Sequence, residues 1–393
     1  MINSKLPNIS TSIFAKMSKM AAEHNALNLS QGFPNFPSDP ALNALVDNAM
    51  RDGFNQYAPM PGDFELRMEI SKKIETLHNR FYNPETEITI TAGATQAIFT
   101  IIAATIGKGD EVIIFTPAYD CYAPTVELFG GKIVPIQLKP PFYAVDWQEV
   151  SDKISSKTKM IIINSPHNPS GMLFSKEDML QLQDLAEKNN LLVLSDEVYE
   201  HIIFDGNAHQ SASKFEALAE RSFITASFGK TFHNTGWKMG YCAAPENLMK
   251  EFQKVHQFVV FCVNHPIQKA LATYLKDESH YLKLADFYQQ KRDFFLHLME
   301  GSNFKIIPSK GTYFQMLDFS EISNENDIAF AERLTKEFKI ATIPTSVFNE
   351  GKKDFKQIRV CFAKTDETLA EAAKILTFHP FSGRFCSALG FLK

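Results

Sequence analysis

The sequence predicts an α/β protein built round a mostly parallel sheet, with a second, smaller α+β domain. Short β-branched runs alternate with helical stretches, the pattern of successive βαβ units. Each run stops at a cluster of polar, Gly or Pro residues. From about residue 280 the pattern changes to long amphipathic helices followed by short strands. These changes place an N-terminal arm with part of the small domain at 1–45, a large domain at 46–280 and the small domain at 281–393.

The stretch to about residue 45 is rich in Pro and Asn and reads as an irregular arm. Strands are expected over 87–91, 112–115, 160–163, 191–194 and 223–226, where apolar, β-branched residues cluster. They end at Ala92-Gly93-Ala94-Thr95, Thr116-Pro117, Asn164-Ser165-Pro166, Ser195-Asp196-Glu197 and Ser227-Phe228-Gly229-Lys230. Open α/β sheets bind ligands outside the carboxyl ends of their strands. Five polar clusters at five such ends point to one shared site. The residues from about 379 follow no periodic pattern.

Composition narrows the function classes. Of 393 residues, 45% are hydrophobic and 22% charged, which is ordinary for a chain that buries a large core. A net charge of -5 offers no basic field for nucleic acid. No apolar run is long enough to span a membrane, and the first twenty residues lack the continuous apolar stretch of a secretion signal. The five cysteines are odd in number and never spaced as CxxC, which fits a reducing cytoplasm better than a disulfide framework or a zinc site. The 34 phenylalanines are read chiefly as core, with aromatic pocket walls as the alternative.

Lys230 follows a strand among small residues. A lysine ordinarily has a pKa of about 10.4. If it is buried near a second cation, the neutral amine becomes available to form a Schiff base. Lys238 is the candidate cation, and two surface lysines are the plainer alternative. Asp196 ends an apolar strand, where an unpaired acid is costly to bury. It would pair with a cationic ring nitrogen or cap a following helix. With Glu197, Glu200 and His201 it also suggests a metal site, against which stands the lack of further His or Cys at ligand spacing. Gly93-Ala94-Thr95-Gln96 opens an apolar helix whose free N–H groups suit an anion, supported by Ser227 and Lys238. Asn168 lies in a sharp turn, where it either meets a ligand or braces the chain; His167 is read as structural. Arg359 alternates with Ile358, Val360 and Phe362, and is either a carboxylate clamp or an exposed strand arginine.

Taken together and in order, these segments resemble the class I/II aminotransferases of the pyridoxal 5'-phosphate (PLP) fold type I. They are most similar to the methionine aminotransferase and kynurenine/glutamine transaminase branch. Asn28-Leu29-Ser30-Gln31-Gly32-Phe33-Pro34, Asn55-Gln56-Tyr57, Asn168-Pro169-Ser170-Gly171, Ser195-Asp196-Glu197-Val198-Tyr199 and Gly236-Trp237-Lys238 carry the likeness with the segments above. It runs from about Leu29 to about residue 370. The resemblance implies a seven-stranded, mostly parallel sheet in a large PLP-binding domain. It matches Lys230 to the Schiff-base lysine, Asp196 to the acid on the pyridinium nitrogen, and Asn168 and Tyr199 to the partners of the ring hydroxyl. Gly93, Ala94, Thr95, Ser227 and Lys238 match the phosphate cup, and Tyr119 the aromatic stacked on the ring. Arg359 matches the α-carboxylate clamp, assisted by Gly32 and Asn168. Tyr57 matches a tyrosine that reaches the neighbouring subunit's phosphate, which implies a homodimer with shared sites. Lys238 stands where many relatives, aspartate aminotransferases among them, have arginine. Ser165 stands where asparagine is frequent, a change expected to be neutral.

The activity implied is transfer of an amino group from an amino acid to a 2-oxo acid in two half-reactions. No second cation suggests itself for an acidic side chain. Phe33, Tyr119 and Phe261 from the partner subunit favour methionine, aromatic amino acids or glutamine. A carbon–sulfur β-lyase on the same fold is the alternative activity, and a PLP-binding transcriptional regulator the alternative that is not an enzyme.

Overall fold

The computed structural model describes residues 3–377, so the unpatterned tail from about residue 379 lies outside the described residues. The N-terminal arm is more regular than its composition suggests. It forms a helix, Ile13–Glu23, and a two-residue strand, β1 (Leu27–Asn28). Met17 and Ala21 recur at helical spacing and are buried, which gives this helix a core-facing stripe inside a polar stretch. A second helix, Pro40–Arg51, begins on a proline, with the Asp39 side chain accepting from the Ala41 N–H.

The large sheet contains β2 (Ile88–Thr91), β3 (Glu111–Thr116), β4 (Lys132–Gln137), β5 (Thr158–Asn164), β6 (Leu192–Asp196), β7 (Ser222–Ser227) and β8 (Gly240–Ala243). Their spatial order is β2-β8-β7-β6-β5-β3-β4. β8 runs antiparallel to both its neighbours, and the remaining pairs are parallel. The sheet is covered on both faces. Ile113, Phe115, Ile161, Ile163, Val193 and Ile224 pack into one core, while Val112, Ile114, Met160, Ile162, Leu194 and Phe223 pack into another. This alternation within continuously apolar runs is what a doubly covered parallel sheet requires. Two strands escaped sequence reading. β4 is an edge strand interrupted by Pro135, and β8 has only four residues, beginning on a glycine.

Four parallel strands end side by side at Thr116, Asn164, Asp196 and Ser227, with Asn164 paired to Asp196 across β5 and β6. Behind this edge lies a third core, formed by β9 (Phe314–Asp318), β10 (Ile340–Ala341), β11 (Ile343–Pro344), β12 (Gln357–Cys361) and the helices Leu284–Leu298, Asp327–Lys336 and Asp366–Thr377. β11, β12 and β9 form an antiparallel sheet, and β1 joins β10 in parallel. The arm is thereby tied into this core, and Gly32 and Phe33 are carried to the mouth of the large sheet.

Candidate active site

A cavity of about 280 Å³ opens at the shared strand ends. The arm supplies Phe14, Gln31, Gly32 and Phe33, and the helix Ala94–Thr105 supplies its first residues and Ile98. The segments after β3, β5, β6 and β7 supply Tyr119, Asn168, Val198, Tyr199, Gly229, Lys230 and Lys238, and β9 and β12 of the third core supply Phe314 and Arg359. Gly93, Ala94, Thr95, Asn164, Asp196, Ser227 and Thr235 complete the lining. The structure thus brings together every site residue expected from the sequence except Tyr57 and Phe261. Those two stand on the outer surface, Tyr57 82% exposed, with their rings edge to face at 5.5 Å.

Lys230 is no surface lysine. Its Nζ donates to the Gly32 carbonyl at 3.2 Å and lies 5.7 Å from the Tyr313 ring and 5.9 Å from the Tyr199 ring. Burial, with the charges of Lys238 and Arg359 behind it, lowers its pKa to about 8, against the opposing pull of Cys361 and Asp196. Gly32 leaves no room for a side chain, since a Cβ there would come within 2.6 Å of Phe314 Cζ.

Asp196 is 3% exposed. Burial raises its pKa to about 6, against the Tyr122 hydroxyl, which donates to Oδ2 at 2.5 Å. Its Oδ1 accepts the Val198 N–H at 3.3 Å within a turn; no helix follows, so the capping alternative falls. Glu197 and Glu200 turn away from it, to His209 at 2.7 Å and Lys73 at 2.6 Å. Among the described residues no group of three or more His, Cys, Asp or Glu side chains is placed to hold a metal ion.

Arg359 is 1% exposed, which removes the exposed-arginine alternative: every residue of β12 is buried, and its second face meets Asn168 through Arg359 and Tyr143 through Gln357. Its Nη1 donates to Asn168 Oδ1 at 2.7 Å and its Nη2 to the Ser30 carbonyl at 3.1 Å, with the guanidinium 3.8 Å from the Phe314 ring centre. Its Nε is buried without a hydrogen-bond partner. A buried guanidinium hydrogen-bonded only to neutral groups, with Asp120 the nearby acid, is suited to receive a carboxylate.

At the opposite end, Gly93 (φ 79°) makes no side-chain cap to the helix Ala94–Thr105. The uncapped N–H groups, Ser227 and the Lys238 ammonium beside Gly93 form a cradle for an anion. The cavity therefore offers an anion cradle, an acid seeking a cationic partner, an aromatic wall at Tyr119 and a lysine of lowered pKa. These residues fit pyridoxal phosphate. Sequence reading missed Tyr122, Phe14 and Phe314. Only the Tyr-x-x-Tyr spacing in 119–122 hinted at Tyr122, and nothing local marked the phenylalanines among 34.

Comparison with known proteins agrees with this geometry. The family described as aminotransferase class I and II matches residues 24–376. Methionine aminotransferase of Escherichia coli (strain K12) is 45% identical over 374 residues, covering 95% of this chain and 97% of that protein. Human kynurenine–oxoglutarate transaminase 3 is 34% identical over 403 residues, covering 95% of this chain and 89% of that one. A solved Escherichia coli structure, identified as having a methionine aminotransferase function, superposes with a TM-score of 0.93 at 44% identity, covering 96% of this chain and 99% of its own. N-succinyldiaminopimelate aminotransferase of Mycobacterium tuberculosis superposes with a TM-score of 0.92 at 33% identity, covering 96% and 99%.

Proposed function

The chain belongs to the class I and II aminotransferases, which use pyridoxal 5'-phosphate, and from that premise we propose that it moves the amino group of an apolar, sulfur-containing or aromatic L-amino acid to a 2-oxo acid. When bound, the cofactor supplies a carbonyl that condenses with amines and a ring that draws off the electrons of a broken Cα–H bond. The protein does the rest. The uncapped helix start at Ala94 and Thr95, with Ser227 and Lys238, holds the phosphate. Asp196 would keep the ring nitrogen protonated, Asn168 and Tyr199 would hold the ring hydroxyl, and Tyr119 would cover the ring face. Arg359, with Asn168 and Gly32, fixes the substrate α-carboxylate and so aims its Cα–H bond at Lys230. Lys230 Nζ removes the α-proton and returns it, a transfer typically worth about 10²–10⁴-fold.

One observation carries the substrate class. Among the described residues the cations lining the cavity are Lys230, Lys238 and Arg359, each assigned above to a role shared by all substrates. What remains is Phe14, Phe33, Ile98, Val198 and Phe314, with Gly229 and the uncharged Gln31, Asn164 and Thr235. A second carboxylate would be desolvated there without a cationic partner. Relatives named for methionine and kynurenine transamination support this reading over the β-lyase alternative. A panel of amino acids with several oxo acids tests it: methionine and phenylalanine should exceed aspartate in kcat/KM by at least about tenfold. Comparable turnover of aspartate and methionine overturns the assignment.

The same reading includes a homodimer, with Tyr57 reaching the partner's phosphate and Phe261 the partner's substrate pocket; their exposure in the single chain supports it. The division at residues 45 and 280, with the small domain bringing Arg359 to the site, belongs to it too. So does a cytoplasmic location, which the unpaired Cys121, Cys242, Cys262 and Cys361 support. No helix among the described residues is long and apolar enough to cross a membrane.

A further inference from the structure

Tyr122 opens the helix Tyr122–Leu128 and is 3% exposed, packed in the core that also holds Ala118, Val126 and Leu194. The apolar body of the ring accounts for that packing, but its hydroxyl lies where apolar burial alone would not place it. It donates to Asp196 Oδ2 at 2.5 Å, the short distance of a hydrogen bond to an ionised acceptor. Asp196 has one other donor on its carboxylate, the Val198 N–H at the longer distance of 3.3 Å. Its backbone is fixed separately, with Asn164 Nδ2 donating to the Asp196 carbonyl at 2.9 Å.

We propose that Tyr122 is a positioning residue for transamination: its hydroxyl holds the Asp196 carboxylate ionised and in one orientation, so that the ring nitrogen of pyridoxal phosphate keeps its proton. The inference rests on the pairing of Asp196 with that nitrogen. A carboxylate that loses a donor gains proton affinity. Without the Tyr122 hydroxyl, a proton shared between Asp196 and the ring nitrogen would lie nearer the carboxylate. The ring is then neutral and draws electrons less strongly from the substrate carbon. The groups facing Asp196 are Tyr122 and Cys121 from this turn, Tyr119 before it, Glu197 beside it and Lys230 across the cavity. Of these, Tyr122 alone makes a side-chain hydrogen bond to the carboxylate. Burial, together with the charge of Asp196, pushes the Tyr122 phenol well above its ordinary pKa, so it stays a donor throughout the working range.

The test uses holoenzyme loaded with ¹⁵N-labelled pyridoxal phosphate and reads the ring-nitrogen resonance in wild type, Tyr122→Phe and Asp196→Asn. In Tyr122→Phe the resonance should move toward the unprotonated position, and kcat should fall roughly tenfold while KM changes little. A purely packing role would leave the resonance unmoved, because phenylalanine keeps the ring. If Asp196→Asn shifts the resonance and Tyr122→Phe does not, this proposal falls and the Asp196 assignment stands. If neither shifts it, both fall. Should Tyr122→Phe fail to fold, replacing Tyr122 by 3-fluorotyrosine gives a stronger donor on the same ring. That replacement must move the ring-nitrogen resonance further toward the protonated position; no change overturns the proposal.

Discussion

At Lys230 two effects compete: burial and the charges of Lys238 and Arg359 pull its proton affinity down, while Cys361 and Asp196 pull it up. The first set wins, and the pKa falls from 10.5 to about 8. Since the ammonium is the destabilised form, the neutral amine should accumulate as pH rises through about 8, well before exposed lysines titrate. In the apoprotein, acylation of Lys230 by an amine-selective reagent, followed by mass spectrometry, should therefore show a midpoint near pH 8. A midpoint above about 10 would place the amine in an ordinary, solvated setting. Lys230→Ala should abolish transamination while pyridoxal phosphate still binds through its other contacts, as equilibrium dialysis would show. Arg359 differs in kind, because it stays charged and acts by geometry. Arg359→Lys keeps the charge but loses the planar fork on Asn168, Ser30 and substrate, and should lower kcat/KM by about 10²-fold, mostly through KM. Retention of near-native KM in steady-state assays would remove Arg359 from the carboxylate.

The helix Ala94–Thr105 illustrates how an element contributes through its end. Its apolar residues Ala97, Ile98, Ile101 and Ile102 bury it against the sheet, which fixes the direction of its first turn toward the cavity. Gly93 precedes it at φ 79° and ψ 167°, a region essentially reserved for glycine. A Cβ there would meet the flexible end of Lys238 at 3.5 Å and its backbone carbonyl carbon at 3.7 Å, both ordinary contacts, so the cost of substitution lies in the backbone conformation. Gly93→Ala should cost about 1–3 kcal/mol and weaken cofactor binding roughly tenfold by turning the first N–H groups aside. Gly236→Ala, at a position with nothing within 4 Å, is the matched control. Equal affinities in a cofactor titration of the two variants would show that the helix start does not hold the phosphate.

At the scale of the whole molecule, the exposed Tyr57–Phe261 pair makes the proposed dimer testable through function. Tyr57→Ala should leave the single chain's fold intact, since the side chain is 82% exposed, yet weaken cofactor binding at the neighbouring site. Mixed dimers of Tyr57→Ala and Lys230→Ala chains contain one site with both residues intact. Mixing the two variants under subunit exchange should thus restore activity above that of either variant alone. No gain on mixing would place Tyr57 outside the shared site.

Much of this was legible in the sequence, for identifiable reasons. The five strands expected at 87–226 stood out because a sheet buried on both faces needs continuous apolar runs, and their polar ends marked where the site lies. Lys230, Asp196 and the Gly93 turn were visible because each breaks a local pattern at one of those ends. The sequence by itself thus determined the fold class, the family and the set of groups at the strand ends. Tertiary structure decided what no local pattern encodes. It buried Arg359 on a strand whose second face meets the turn at Asn168, and set Phe14 and Phe314 round the cavity. It also brought Tyr122 to Asp196 across 74 residues. A hydrogen bond between residues so far apart leaves no mark in either segment, because only the packing of one helix against the end of a distant strand brings the two atoms together.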